Sequence, residues 1–104
     1  MITAVFYKKG GNFSGFRVSG HAGYAEYGQD IVCASVSSAV QLTANLITET
    51  FAVKADASAV DDTVTLEVAE ICEEATLLID GLKMHLELLS EEFENTIITK
   101  ISEV

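Results

Sequence analysis

Two stretches rich in β-branched and aromatic residues, 2–7 and roughly 13–19, open the chain and read as strands. Lys8-Lys9-Gly10-Gly11-Asn12 between them supplies turn chemistry, so the pair is a predicted hairpin. From about Ile31 to Thr48 the period changes to that of a helix. An apolar face can be drawn there through Val32, Val36, Ala39 or Val40, Thr43, and Leu46 or Ile47. Phe51–Ala55 reads as a weak strand and Asp56–Ala59 as a turn. Thr63–Ala69 then alternates Val64, Leu66 and Val68 with Thr65 and Glu67, the cleanest period-two signal in the chain. A second helix is expected from about Glu73 to Leu89, with Ala75, Leu78, Leu82, Leu86 and Leu89 as its buried stripe. Glu73 and Glu74 suit the positive end of that helix. Gly81 in its middle costs roughly 1 kcal/mol against alanine, which suggests a close contact. Thr96–Ile101 reads as a closing strand. The order is ββαββαβ: a single small α+β domain over residues 1–104, with two helices packed on a mixed or antiparallel sheet.

Composition narrows the class. The chain has 104 residues, about half of them apolar, and no proline, so it can bury a core and shows no linker or disordered tract. No apolar run approaches the roughly 20 residues of a membrane span. The opening Met1-Ile2-Thr3-Ala4-Val5-Phe6-Tyr7 has no basic region or cleavage site, so no signal peptide is expected and the cytoplasm is the expected location. Sixteen acids against six Lys plus Arg give a net charge of −10. That opposes direct nucleic-acid binding, which runs on phosphate neutralisation, and suits a basic partner as well as plain solubility. Two cysteines and two histidines without close pairing make neither a disulfide framework nor a metal site, so no metal or cofactor is expected.

The candidate chemistry lies between the predicted hairpin and the first helix. Asp30 is a good N-cap immediately before the apolar-periodic run, which puts Cys33 in the first helical turn. Backbone N–H groups lack intrahelical partners there, and the dipole offers a thiolate about 0.3–1 kcal/mol. The nearby Asp30 carboxylate works against that gain and nearly cancels it. The decisive partner is therefore His21, twelve residues upstream across a loop holding Gly20, Gly23 and Gly28. Two readings stand for Cys33: a cysteine–histidine nucleophile, or a small buried hydrophobe. In the first, the N–H groups around Val32 and Cys33 can form an oxyanion hole. Ser37, one turn on, shares the cysteine's face, and Asp30 can orient His21 besides capping the helix. Tyr24 and Tyr27 either contact a peptide or pack. His85 reads as structural and Cys72 as inert, while Glu49, Asp61, Asp62, Glu91, Glu92 and Glu94 read as solvated surface acids.

Gly20-His21-Ala22, Gly28, Asp30-Ile31-Val32-Cys33-Ala34 and Val36-Ser37 together resemble the ribosomal-processing cysteine protease Prp family. Ser35 departs from the pattern, where alanine is usual, without touching the His–Cys pair. The resemblance implies a cysteine endopeptidase that removes the N-terminal extension of large-subunit ribosomal protein number twenty-seven. It implies His21 as base, Cys33 as nucleophile, and Asp30 and Ser37 as lesser members of the site. The loop bearing Gly23, Tyr24, Glu26, Tyr27 and Gly28 is then expected to meet the substrate. It also implies a homodimer, and a basic ribosomal peptide as partner suits the acidic composition. Two rivals are a non-catalytic ribosome-assembly factor that binds a ribosomal protein, and a redox-sensing thiol protein with Cys72 as resolving partner.

Overall fold

A computed structural model describes residues 1–26 and 28–104. Its elements run β1 (Ile2–Lys9), β2 (Asn12–Ser19), α1 (Ile31–Asn45), β3 (Ala55–Val60), β4 (Thr63–Val68), α2 (Glu73–Glu92) and β5 (Ile97–Glu103). The five strands form one mixed sheet ordered β3-β4-β2-β1-β5. β1 pairs antiparallel with β2 and parallel with β5, and β4 joins β2 to β3, antiparallel to both. The ββαββαβ order and the α+β class read from the sequence hold.

Strand alternation explains the core. Ile2, Ala4 and Phe6 are buried while Thr3, Val5 and Tyr7 are half-exposed, so β1 sends one face into the interior. Phe16 and Val18 of β2 and Leu66 and Val68 of β4 join them. Against this layer lie Val32, Val36 and Val40 of α1, Ile47 just beyond it, and Ala75, Ile79, Leu82 and Leu86 of α2. The expected stripe of the first helix is met, with Val40 and Ile47 the buried members of their pairs, and that of the second in part, at Ala75, Leu82 and Leu86. On α2, Ile79 is fully buried, and Leu78 and Leu89 pack at the margin. Each fully buried Phe or Leu contributes on the order of 1.5–3 kcal/mol.

Four expectations are corrected. The strand expected at Phe51–Ala55 lies instead at Ala55–Val60, where a turn was expected at Asp56–Ala59. β3 is an edge strand with five of its six residues exposed, and its alternation is carried only by the small Ala55, Ala57 and Ala59, too weak a signal against the polar Asp56 and Ser58. The first helix does not run regularly to Thr48: from Leu46 to Thr50 it widens, and the Phe51 N–H reaches back five residues to the Leu46 carbonyl at 2.9 Å. Gly81 marks no close contact, since a Cβ there would meet nothing within 4 Å. Finally, Ile31–Thr50 is, by length and composition, apolar enough to cross a membrane, because its valines and alanines outweigh its scattered polar residues. In this fold the same segment supplies five side chains buried in the domain: Val32, Val36, Val40, Thr43 and Ile47.

The helices cover the sheet unevenly, and that makes the site. α2 lies along β2 and β5. Ala55, Ala57 and Ala59 of β3 pair with Val68, Leu66 and Val64 and so point to the helical side, yet Ala57 and Ala59 remain exposed. A groove of about 850 Å³ opens between this edge and α1, with Val40, Gln41 and Ala44 on one wall and Ala57, Ala59 and Val64 on the other. Small side chains on both walls keep it open.

Candidate active site

Gly20 fixes the entry to the loop. It has φ +91°, and a Cβ at this position would lie 2.5 Å from the Met1 carbonyl oxygen, so only glycine fits. Its N–H donates to the Asp62 carbonyl at 3.2 Å, tying the end of β2 to the β3–β4 turn. His21 follows at once, and its Nε2 lies 3.0 Å from Asp62 Oδ2. Both side chains are more than half exposed, at 55% and 59%, so the pair adds little to stability. Its consequence is the direction of the ring.

Asp30 caps α1 as expected and does more. Its Oδ1 accepts the N–H groups of Val32 and Cys33, each at 3.0 Å. Its Oδ2 accepts those of Tyr24 at 2.9 Å and Ala25 at 3.3 Å. The carboxyl is thereby held below its ordinary value. The Cys33 N–H is the largest cause; burial opposes it, and the Ala25 and Tyr24 N–H groups and the Cys33 thiol add smaller shifts in the same direction. One carboxylate thus joins the loop to the helix start.

Two sequence expectations fail on this geometry. The Val32 and Cys33 N–H groups are not open to an oxyanion, because Asp30 Oδ1 occupies both. Nor does Asp30 orient His21: its two oxygens already serve four backbone donors, and the imidazole bonds Asp62. Asp62 is therefore more than a solvated surface acid. The sequence reading missed it because the contact joins the loop to a distant hairpin, and no local spacing reports it.

Cys33 is half-buried, and its Sγ accepts the Ala22 N–H at 3.2 Å. Among the described residues no hydrogen bond joins it to His21, but both side chains line the same groove. Ser37 lines it too, one turn further along, and accepts a hydrogen bond from Gln41 Nε2 at 3.1 Å. Gly23 (φ +70°) and Gly28 (φ +86°) also border the groove, from the loop. Tyr24 packs edge-on against Phe93, with ring centroids 5.3 Å apart, which anchors the loop near the end of α2. Glu26 is exposed, and its carbonyl closes a turn by accepting the Gln29 N–H at 2.9 Å. Tyr27, expected beside it as a substrate contact, lies outside the described residues.

His85 and Cys72 are not among the residues that line the groove. His85 is exposed on α2, and half-buried Cys72 occupies the N-cap position of that helix without a side-chain capping bond. No cluster of metal-ligating side chains occurs among the described residues. The site offers a thiol, an imidazole and a backbone donor on the sulfur, the elements of nucleophilic acyl transfer.

Comparison with known proteins bears on that chemistry. A family model described as Cysteine protease Prp matches residues 1–98. The fold superposes on the S. aureus ribosomal processing protease Prp bound to a covalently linked product peptide with a TM-score of 0.91. That match has 25% identity and covers 98% of this chain and 100% of the other. The SMU.848 protein of Streptococcus mutans matches with a TM-score of 0.80 at 27% identity, over 100% of this chain and 96% of its own. A structure of S. aureus Prp with a substrate peptide shares the fold, with a TM-score of 0.85 at 24% identity, covering 98% of this chain and all of the other. The curated proteins gave no match.

Proposed function

Because this chain belongs to the Prp family of cysteine proteases, we propose that it removes the N-terminal extension of large-subunit ribosomal protein number twenty-seven, with Cys33 as nucleophile and His21 as base. The observation that carries this reading is that both side chains line one groove of about 850 Å³. Among the described residues the groove walls carry the carboxylates of Asp30, Asp61 and Asp62 and no lysine or arginine, which suits a basic ribosomal peptide. A cytoplasmic homodimer belongs to the same proposal.

In the mechanism, His21 takes the Sγ–H proton and the sulfur attacks the scissile carbonyl carbon, giving a tetrahedral oxyanion. The Ala22 N–H, which bonds the sulfur at 3.2 Å, is the donor we assign to that oxyanion once the sulfur has attacked. The imidazolium then protonates the departing amine as the C–N bond breaks, leaving a thioester on Cys33. Water, deprotonated by His21, hydrolyses the thioester, and the proton returns to sulfur. Asp30 holds loop and helix start in register so that Ala22 faces the thiol. Ser37 lies one turn further along the same wall, placed to bond a peptide group rather than to attack. Gly23, Tyr24, Glu26, Tyr27 and Gly28 form the loop segment proposed to meet the substrate.

The test is incubation with a peptide spanning the extension and the mature start of that ribosomal protein, read by mass spectrometry. One cleavage into two fragments is expected, with none from Cys33→Ala. Intact peptide with the parent protein, or cleavage surviving in Cys33→Ala, contradicts the assignment.

A further inference from the structure

The His21–Asp62 contact has no role in the reaction as written above. Asp61 and Asp62 form the two-residue turn between β3 and β4, since Val60 pairs with Thr63 across it and Asp61 has φ +53°. Asp62 grips the start of the loop twice. Its carbonyl accepts the Gly20 N–H at 3.2 Å, and its carboxylate lies 3.0 Å from His21 Nε2. The backbone just before the histidine and the histidine ring are thus fastened to one residue, which a tight turn holds in place.

A carboxylate only accepts hydrogen bonds, so Nε2 must carry the proton in this contact. In a neutral imidazole the lone pair then belongs to Nδ1. We propose that Asp62 is the positioning residue of the protease: it holds His21 with Nε2–H engaged and leaves Nδ1 as the base for Cys33. The inference rests on the proposed Cys33–His21 chemistry. During attack the Sγ proton moves to Nδ1, the Nε2–H bond to Asp62 persists, and the carboxylate stays ionised beside the imidazolium. Nδ1–H is then the proton given to the leaving amine. No other acid can take this place from its own position in the groove. Asp30 is spent on four backbone N–H groups, and among the described residues Asp62 and not Asp61 pairs with the ring.

Asp62→Ala and Asp62→Glu test this by cleavage kinetics, together with two-bond proton–nitrogen NMR of ring-labelled histidine. Resonances are assigned with His85→Gln, which lies outside the groove. The main-chain grip on Gly20 survives both substitutions. Asp62→Ala is expected to lower kcat by about 10- to 100-fold with KM within about threefold, and Asp62→Glu to recover part of it. The parent spectrum should show His21 protonated at Nε2, with that nitrogen's signal displaced in Asp62→Ala and less so in Asp62→Glu. A kcat within twofold of the parent in Asp62→Ala, a change confined to KM, or a parent ring protonated at Nδ1 overturns the proposal. If the parent cleaves nothing, the protease reading fails by itself, and the spectra still decide whether Asp62 fixes the ring.

Discussion

Gly20→Ala perturbs the joint from which the histidine is presented. Two costs follow from its geometry. A side chain at φ +91° pays the left-handed penalty, roughly 1–2 kcal/mol. The new Cβ would also sit 2.5 Å from the Met1 carbonyl oxygen, a backbone atom that cannot swing aside. Relieving such overpacking costs typically about 1–3 kcal/mol. Their sum, about 2–5 kcal/mol, is a large part of the roughly 5–15 kcal/mol that holds a small domain together. Gly10→Ala supplies the control. Gly10 has φ +56°, but a Cβ there would meet nothing within 4 Å, so only the first cost, about 1–2 kcal/mol, applies. Urea unfolding of the two variants should therefore differ by about the overpacking cost. Cleavage should separate them further, because moving Gly20 moves His21, and a 1 Å misplacement costs about 100-fold. Gly10→Ala should cleave as the parent does. Equal destabilisation by the two substitutions, or parental cleavage by Gly20→Ala, refutes the reasoning.

Further outcomes are expected elsewhere. Asp30 has its carboxyl held below the ordinary value in the folded state, so folding favours its ionised form. Its stabilisation is full above the ordinary carboxyl value and disappears as pH falls through the lower folded value. Urea unfolding of the parent and Asp30→Asn should thus differ at neutral pH and converge in strong acid, and a gap unchanged across that range contradicts the capping account. Gly81→Ala should stabilise the protein by roughly 1 kcal/mol, since the helix gains propensity and the Cβ meets nothing. A lower melting temperature would mean that something packs on that face of α2. Gly15→Ala should destabilise strongly, because its Cβ would fall on the Leu66 carbonyl oxygen across the sheet, and unfolding midpoints measure it.

What the sequence discloses follows the range of each interaction. The Asp30 cap, the first-turn position of Cys33 and the stripe from Val32 to Ile47 are set by neighbours within a few turns, so residue order reveals them. The hairpin around Gly10 and Gly11 is legible for the same reason, its turn having positive φ at both glycines. β3 is not. Its ADASAV does alternate, but only alanines carry the apolar positions and five of its six residues are exposed, so the period is too faint to read as a strand. The partner of His21 is hidden more thoroughly. Asp62 is one acid among sixteen, and only the folding of β4 beside β2 brings it to the ring. The occupation of the first-turn N–H groups is hidden for a related reason: local rules leave them open to a ligand, and a doubly used cap carboxylate fills them.

In the proposed chemistry His21 makes Cys33 a nucleophile, and Cys72 provides an internal reference because both thiols are free and half-buried. The direct measurement is the rate of iodoacetamide labelling at each cysteine near neutral pH, resolved by peptide mass, in the parent and in His21→Ala. Cys33 should react at least about tenfold faster than Cys72 in the parent, with that advantage lost in the variant. Equal rates at the two cysteines in the parent, or an advantage that survives without His21, would contradict it.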